Sequence, residues 1–147
     1  MADNELMLEV VTLDREVIRD SVAEVQLPGS AGYLGILPGH TPLLTEVGTG
    51  VLSYRKDGQT FYAAVIGGTA EVLPDRVTVL ADAAERAEEI DATRAQAALA
   101  AAEKQFTGAA AAATDWDAVR QAAARAHARL EAAAHAAGDA TGTHAAS

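Results

Sequence analysis

The chain of 147 residues has no cysteine, only four prolines, and few aromatics: two Phe, three Tyr and one Trp. Without cysteine there is no disulfide and no thiolate to hold a metal or act as nucleophile, which fits a reducing compartment without proving one. Basic residues are also scarce, 11 against 21 acidic, for a formal charge of −10. Such a surface repels phosphate backbones, so nucleic acid is excluded as a partner. No apolar run approaches the ~18 residues of a membrane span. The N-terminus, Met-Ala-Asp-Asn-Glu, lacks the apolar region of an export signal. Any membrane association has to come through a partner.

What the chain does have is concentrated between Leu27 and Leu44, which holds three of the four prolines and four glycines. Pro28-Gly29 and Pro38-Gly39 each place a fixed φ beside a residue that tolerates φ > 0, the pattern of a type II turn. Gly32 and Gly35 leave room only for very short strands, and Pro42 confines its strand to an edge or a first position. On spacing alone this is a turn-rich corner of a β-sandwich.

From Leu6 to Asp82 the apolar pattern has period two and is punctuated by turns, which predicts antiparallel β-structure. Leu6, Leu8 and Val10 share one face of a first strand. Val51–Tyr54 and Phe61–Ile66 flank Lys56-Asp57-Gly58 as a hairpin, Gly67-Gly68 mark a bend or bulge, and Pro74-Asp75 turn into a last strand, Val77–Leu80. This predicts a sandwich or flattened barrel over residues 1–84.

Near Ala83 alanine takes over. Asp91 can cap a helix running to about Phe106, ended by Thr107-Gly108. Thr114, with Asp117 three residues on, can cap a second helix running to about Ala137. Together they predict an antiparallel helical hairpin over residues 85–137, followed by a disordered tail over 138–147. The large residues available to its seam are Ile90, Leu99, Phe106, Trp116, Val119 and Leu130. Alanine favours helix but buries little area, so the helices should persist while their docking stays weak. An ordinary Ala-rich hairpin without any switching role fits the same pattern.

No catalytic constellation is present. His40, His127, His135 and His144 lack metal-ligand spacing, and His127 and His135 read as solvated. Charged pairs do share helix faces: Asp91 and Arg94 at i, i+3, and Arg125 and Arg129 at i, i+4. A helix cap and a solvated basic face explain them equally well.

The order of these motifs resembles the ε subunit of F-type ATP synthases. The likeness runs through Leu27-Pro28-Gly29, Gly35-Ile36-Leu37-Pro38-Gly39-His40, Gly67-Gly68, Glu71-Val72, Val77–Asp82 and the helix opened by Ile90-Asp91. It implies a non-catalytic rotor subunit whose sandwich clamps the γ subunit and seats the central stalk on the c-ring. Tyr33, Pro38, Gly39 and His40 are the expected contacts there. It also implies a hairpin that permits turnover when folded and blocks hydrolysis when extended into the catalytic α/β hexamer, where Arg120, with Arg125 and Arg129, would meet acidic loops. No cofactor is required, but Ile90-Asp91-Ala92-Thr93-Arg94-Ala95 resembles the family's ATP-binding motif, with Glu85, Arg125 and Arg129 matching further site residues. Ala101 stands where the family often has another arginine. A lost charge-assisted bond costs about 1.5–3 kcal/mol, so regulatory ATP should bind weakly. The family places such a subunit on the cytoplasmic side of the bacterial cell membrane, as a peripheral component. A purely structural coupling subunit and a free-standing nucleotide-binding domain are the alternatives; the second finds no P-loop here.

Overall fold

The computed structural model describes residues 4–106 and 115–141. Seven strands come first: β1 (Leu6–Val11), β2 (Glu16–Val22), β3 (Glu24–Gly29), β4 (Gly32–Ile36), β5 (Leu43–Lys56), β6 (Gln59–Leu73) and β7 (Arg76–Arg86). A 3₁₀ turn (Ala87–Glu89) then leads to α1 (Ala92–Phe106) and α2 (Trp116–Thr141).

The hydrogen-bonded order is β2-β1-β7-β6-β5-β3-β4. Alternation places Leu6, Leu8 and Val10 inside from β1, and Val77, Val79 and Ala81 from β7. Side chains from strands at both ends of this order, such as Ile18 of β2 and Ile36 of β4, belong to one buried cluster. The sheet therefore folds over its own core as a two-layered β-sandwich, the expected class, and a Lys56–Asp20 ion pair ties β5 to β2.

In β6 the residues buried in the sandwich core are Ala63 and Val65 before Gly67-Gly68, and Ala70 and Val72 after it, so the inward parity changes. Both glycines have positive φ, 66° and 131°. A Cβ on Gly68 would lie 2.1 Å from the Leu80 carbonyl oxygen, and only glycine fits. At the β5–β6 hairpin, Asp57 and Gly58 have φ of 53° and 77°, the type I′ geometry that matches strand twist. Pro38-Gly39 makes the expected turn, with the His40 N–H donating to the Leu37 carbonyl at 3.1 Å and φ of 88° at Gly39.

Several expectations need correction. The domain is not wholly antiparallel, because β1 and β7 pair in parallel; period-two alternation reports which face is buried and says nothing of a neighbour's direction. Pro28-Gly29 close β3 and the turn falls on Ser30-Ala31. Strand β7 continues past Leu80 and Ala84 to Arg86, since its alanines fill strand positions. The cap of α2 is Asp115, whose Oδ1 accepts from the Ala118 N–H at 3.1 Å; Thr107, Gly108 and Thr114 lie outside the described residues. Helix α2 crosses Gly138 and ends at Thr141, because a single glycine costs a helix only about 1 kcal/mol. The rest of the tail, 142–147, lies outside the described residues.

Candidate functional site

The hairpin lies on the outer face of the β5–β6 ribbon, and α2 makes that contact while α1 packs on α2. Ala128 and Ala132 of α2 join Val51, Ala64 and Ala87 in a second buried cluster, flanked by Tyr62, Ile90 and Ala136. The i, i+4, i+8 spacing of the three α2 alanines makes a smooth strip along one face. Small side chains allow close approach, yet each buries little area, so the contact is close but weak. Val119 and Ala126, seven apart, are buried on the face turned toward α1. Ala95 and Ala102 are buried on α1. At the tip Phe106 and Trp116 stack with centroids 5.4 Å apart.

The strand-to-helix junction is pinned from the other side. Arg15 donates twice to the Glu89 carboxylate, at 3.1 and 2.8 Å, and Arg86 Nε donates to the Val17 carbonyl at 2.7 Å. The Arg86 N–H adds a bond to Glu89 at 3.1 Å. These donors, Arg15 first and in spite of some burial, pull the Glu89 carboxyl down to about 2.

Of the residues singled out in the sequence, Glu85 and Arg129 meet: Arg129 Nε donates to Glu85 Oε1 at 2.6 Å, joining the end of β7 to α2. Arg125, one turn earlier, is half-buried. Asp91 caps α1, its Oδ1 accepting from the Arg94 N–H at 3.0 Å. The Arg94 side chain is exposed, Ala95 is buried in the helix seam, and Ile90 packs under the hairpin. Ala101 is exposed on α1. Of Arg120, Arg125 and Arg129, Arg120 pairs with Asp117 and Arg129 with Glu85.

At the far end of the sandwich the Gly39 N–H donates to the Pro74 carbonyl at 2.7 Å. That bond joins the Pro38-Gly39-His40 turn to the β6–β7 turn, beside exposed Leu37 and Leu44. Tyr33 is not with them. It is the second residue of β4, and its hydroxyl accepts from the Val51 N–H at 3.0 Å on the hairpin side.

A cleft of about 500 Å³ opens there between the β3–β5–β6 surface and the C-terminal half of α2, lined by Tyr33, Tyr54, Tyr62, Arg55, Glu131 and His135 among others. Sequence reasoning missed His135: its ring stacks on Tyr62 at 5.1 Å, 16° from parallel. The available signal was Tyr62 on the outward parity of β6, facing a helix that has to cover it. Among the described residues no group of three His, Asp or Glu side chains could hold a metal ion, and no helix is long and apolar enough to cross a membrane.

The chain thus has two parts, a β-sandwich and a helical hairpin laid on its β5–β6 face. The family described as "ATP synthase, Delta/Epsilon chain, beta-sandwich domain" matches residues 5–87. The ATP synthase epsilon chain of Koribacter versatilis (strain Ellin345) is 54% identical over 106 residues, 72% of this chain and 74% of its own length. That of Thermodesulfovibrio yellowstonii (strain ATCC 51303 / DSM 11347 / YP87) is 50% identical over 113 residues, 77% of this chain and 81% of its own. The fold is shared with a chain in the Euglena gracilis mitochondrial ATP synthase (OSCP/F1/c-ring in rotational state 1), at TM-score 0.75 and 23% identity, covering 90% of this chain and 82% of that one. The chain belongs to the ATP synthase delta/epsilon family. Its curated relatives are epsilon chains, which are not the catalytic subunit.

Proposed function

We propose that this chain is a non-catalytic central-stalk subunit whose sandwich couples the rotor to the membrane ring and whose hairpin restrains ATP hydrolysis when released. The observation that carries the reading is the construction of the hairpin contact. Among the described residues it is built on an alanine strip, a partly exposed ion pair and a ring stack, whereas the sandwich beneath it has a large buried core of Leu, Ile and Val. A unit held this way opens at far lower cost than the sandwich unfolds. The polar turn at His40, with exposed Leu37 and Leu44 beside it, offers the surface for the c-ring, and the γ subunit is the expected partner of the sandwich. Released, α2 frees Arg129 from Glu85 and offers it with Arg120 and Arg125 to the acidic surface of the α/β hexamer. Such a subunit sits at the cytoplasmic face of the membrane and is held there by its partners.

Truncation after Glu89 tests this and leaves the pinned junction and the whole of β7 intact. In a reconstituted complex it should raise ATP hydrolysis while assembly is retained; an unchanged rate would remove the regulatory role and leave a structural coupling subunit. The nucleotide part of the reading assigns Asp91, Arg94, Arg125 and Arg129, with Glu85, to a weak ATP site. An ATP titration followed by amide NMR should give saturable shifts near Asp91 and Arg129 that Arg125→Ala abolishes. A flat response up to millimolar ATP would reduce Asp91 to a helix cap.

A further inference from the structure

The hairpin contact ends on a titratable group. We propose that His135 is a proton-sensitive latch: its imidazole, stacked on Tyr62 only while α2 lies on the sheet, holds the hairpin more tightly when protonated. The proposal rests on the reading of the hairpin as a releasable unit.

The sign follows from which neighbours change on release. Glu131 Oε2 lies 3.6 Å from His135 Nε2, but it is one turn away on the same helix and travels with it. Tyr62 stays behind on β6. Among the described side chains, the other titratable or charged groups lining the cleft are Glu24 of β3, Tyr33 of β4, and Tyr54 and Arg55 of β5. Glu24 and Arg55 are 3.6 Å apart and pair with each other, so together they bring no net charge to the cleft. Tyr33 is a phenol, neutral below about pH 9, and burial pushes the Tyr54 phenol further up. The contact the imidazole gains on docking is the Tyr62 ring face, which attracts a cation more than a neutral ring. Half of the His135 side chain remains exposed, 50%, so loss of hydration opposes this only slightly. A cation over an exposed aromatic face changes an equilibrium by about two- to fivefold. Histidine ordinarily changes charge between about pH 5 and 8, so docking should tighten as pH falls through that range.

NMR of the full chain, titrated from about pH 8 to pH 5.5, reads the docked and released populations at the Val51 and Ala64 amides beneath α2. That window lies above the usual range of carboxylates. The docked-to-released ratio should rise about two- to fivefold toward the acid end. His135→Phe keeps a ring on Tyr62 without its charge and should hold the ratio constant; Tyr62→Leu should weaken docking and flatten it as well. An identical pH slope in His135→Phe overturns the latch. A released population insensitive to pH in the unmodified chain also overturns it, and leaves the releasable hairpin standing. Absence of any released population at any pH defeats both readings.

Discussion

Glu89 occupies one turn between the sandwich and the hairpin, held there by the Arg15 guanidinium and the Arg86 backbone N–H together. With its carboxyl held at about 2 against an ordinary value of 4.5, the sign of its linkage is fixed. The folded state binds fewer protons than the unfolded one, so the contribution is fully present above the ordinary value and is lost as pH falls from about 4.5 to about 2. Both side chains are partly solvated, with 46% and 38% exposure, which keeps the contribution small. Arg15→Met should remove it: acid titration of the unfolding midpoint should fall less steeply between pH 5 and 2 in the variant than in the unmodified chain. Equal slopes would show that Arg15 does not hold Glu89 in solution. At this scale the sequence was legible wherever a residue's own backbone set the structure. Pro38-Gly39, Asp57-Gly58 and Gly67-Gly68 each did what their φ preferences require. It was less legible where the partner is distant, as for Arg15 with Glu89 or Tyr62 with His135. It was ambiguous by one position where adjacent residues can both cap, as with Thr114 and Asp115.

The elements divide by what their alanines face. Ala63 and Ala64 are adjacent on β6 and both fully buried, one in the sandwich core and the other under α2. That double burial is the mark of a strand covered on both faces, and an alanine count alone cannot show it. For the same reason the alanines that end β7 read as the start of the hairpin. The order and type of the elements were otherwise accessible, since β-branched periodicity and alanine-rich helix propensity separate cleanly along the chain. The helix seam makes an independent prediction. Phe106 stacks on Trp116, the chain's one tryptophan, and such pairs contribute about 0.5–1.5 kcal/mol beyond their buried area. Phe106→Ala should shift Trp116 fluorescence to the red and loosen the hairpin tip, while the unfolding midpoint of the sandwich stays unchanged. A fall in that midpoint would mean that hairpin and sandwich unfold as one unit.

The molecule as a whole joins a domain with a continuous buried core to a hairpin whose attachments, among the described residues, include the pinned 3₁₀ turn, the Glu85–Arg129 pair and the alanine strip ending at Tyr62–His135. The turn stays with the sandwich, because Arg15 and Arg86 hold it to β2 and its loop. The other two attachments break when α2 leaves. For the release proposed above, that asymmetry sets the moving part at Ile90 and beyond. Resemblance to a family suggested such an arm from the sequence, and the alanine content suggested weak docking, but which alanines meet the sheet is visible only in the packing. The absence of native cysteine makes a direct test clean. Ala64→Cys with Ala132→Cys would place a redox-closed bond in the cluster that joins sheet to α2. In the assembled complex, oxidation should lock the hairpin down and raise ATP hydrolysis to the rate of the truncation after Glu89, and reductant should restore the restraint. Equal hydrolysis in the oxidised and reduced forms, with the crosslink verified on a non-reducing gel, would contradict release of the hairpin as the source of inhibition.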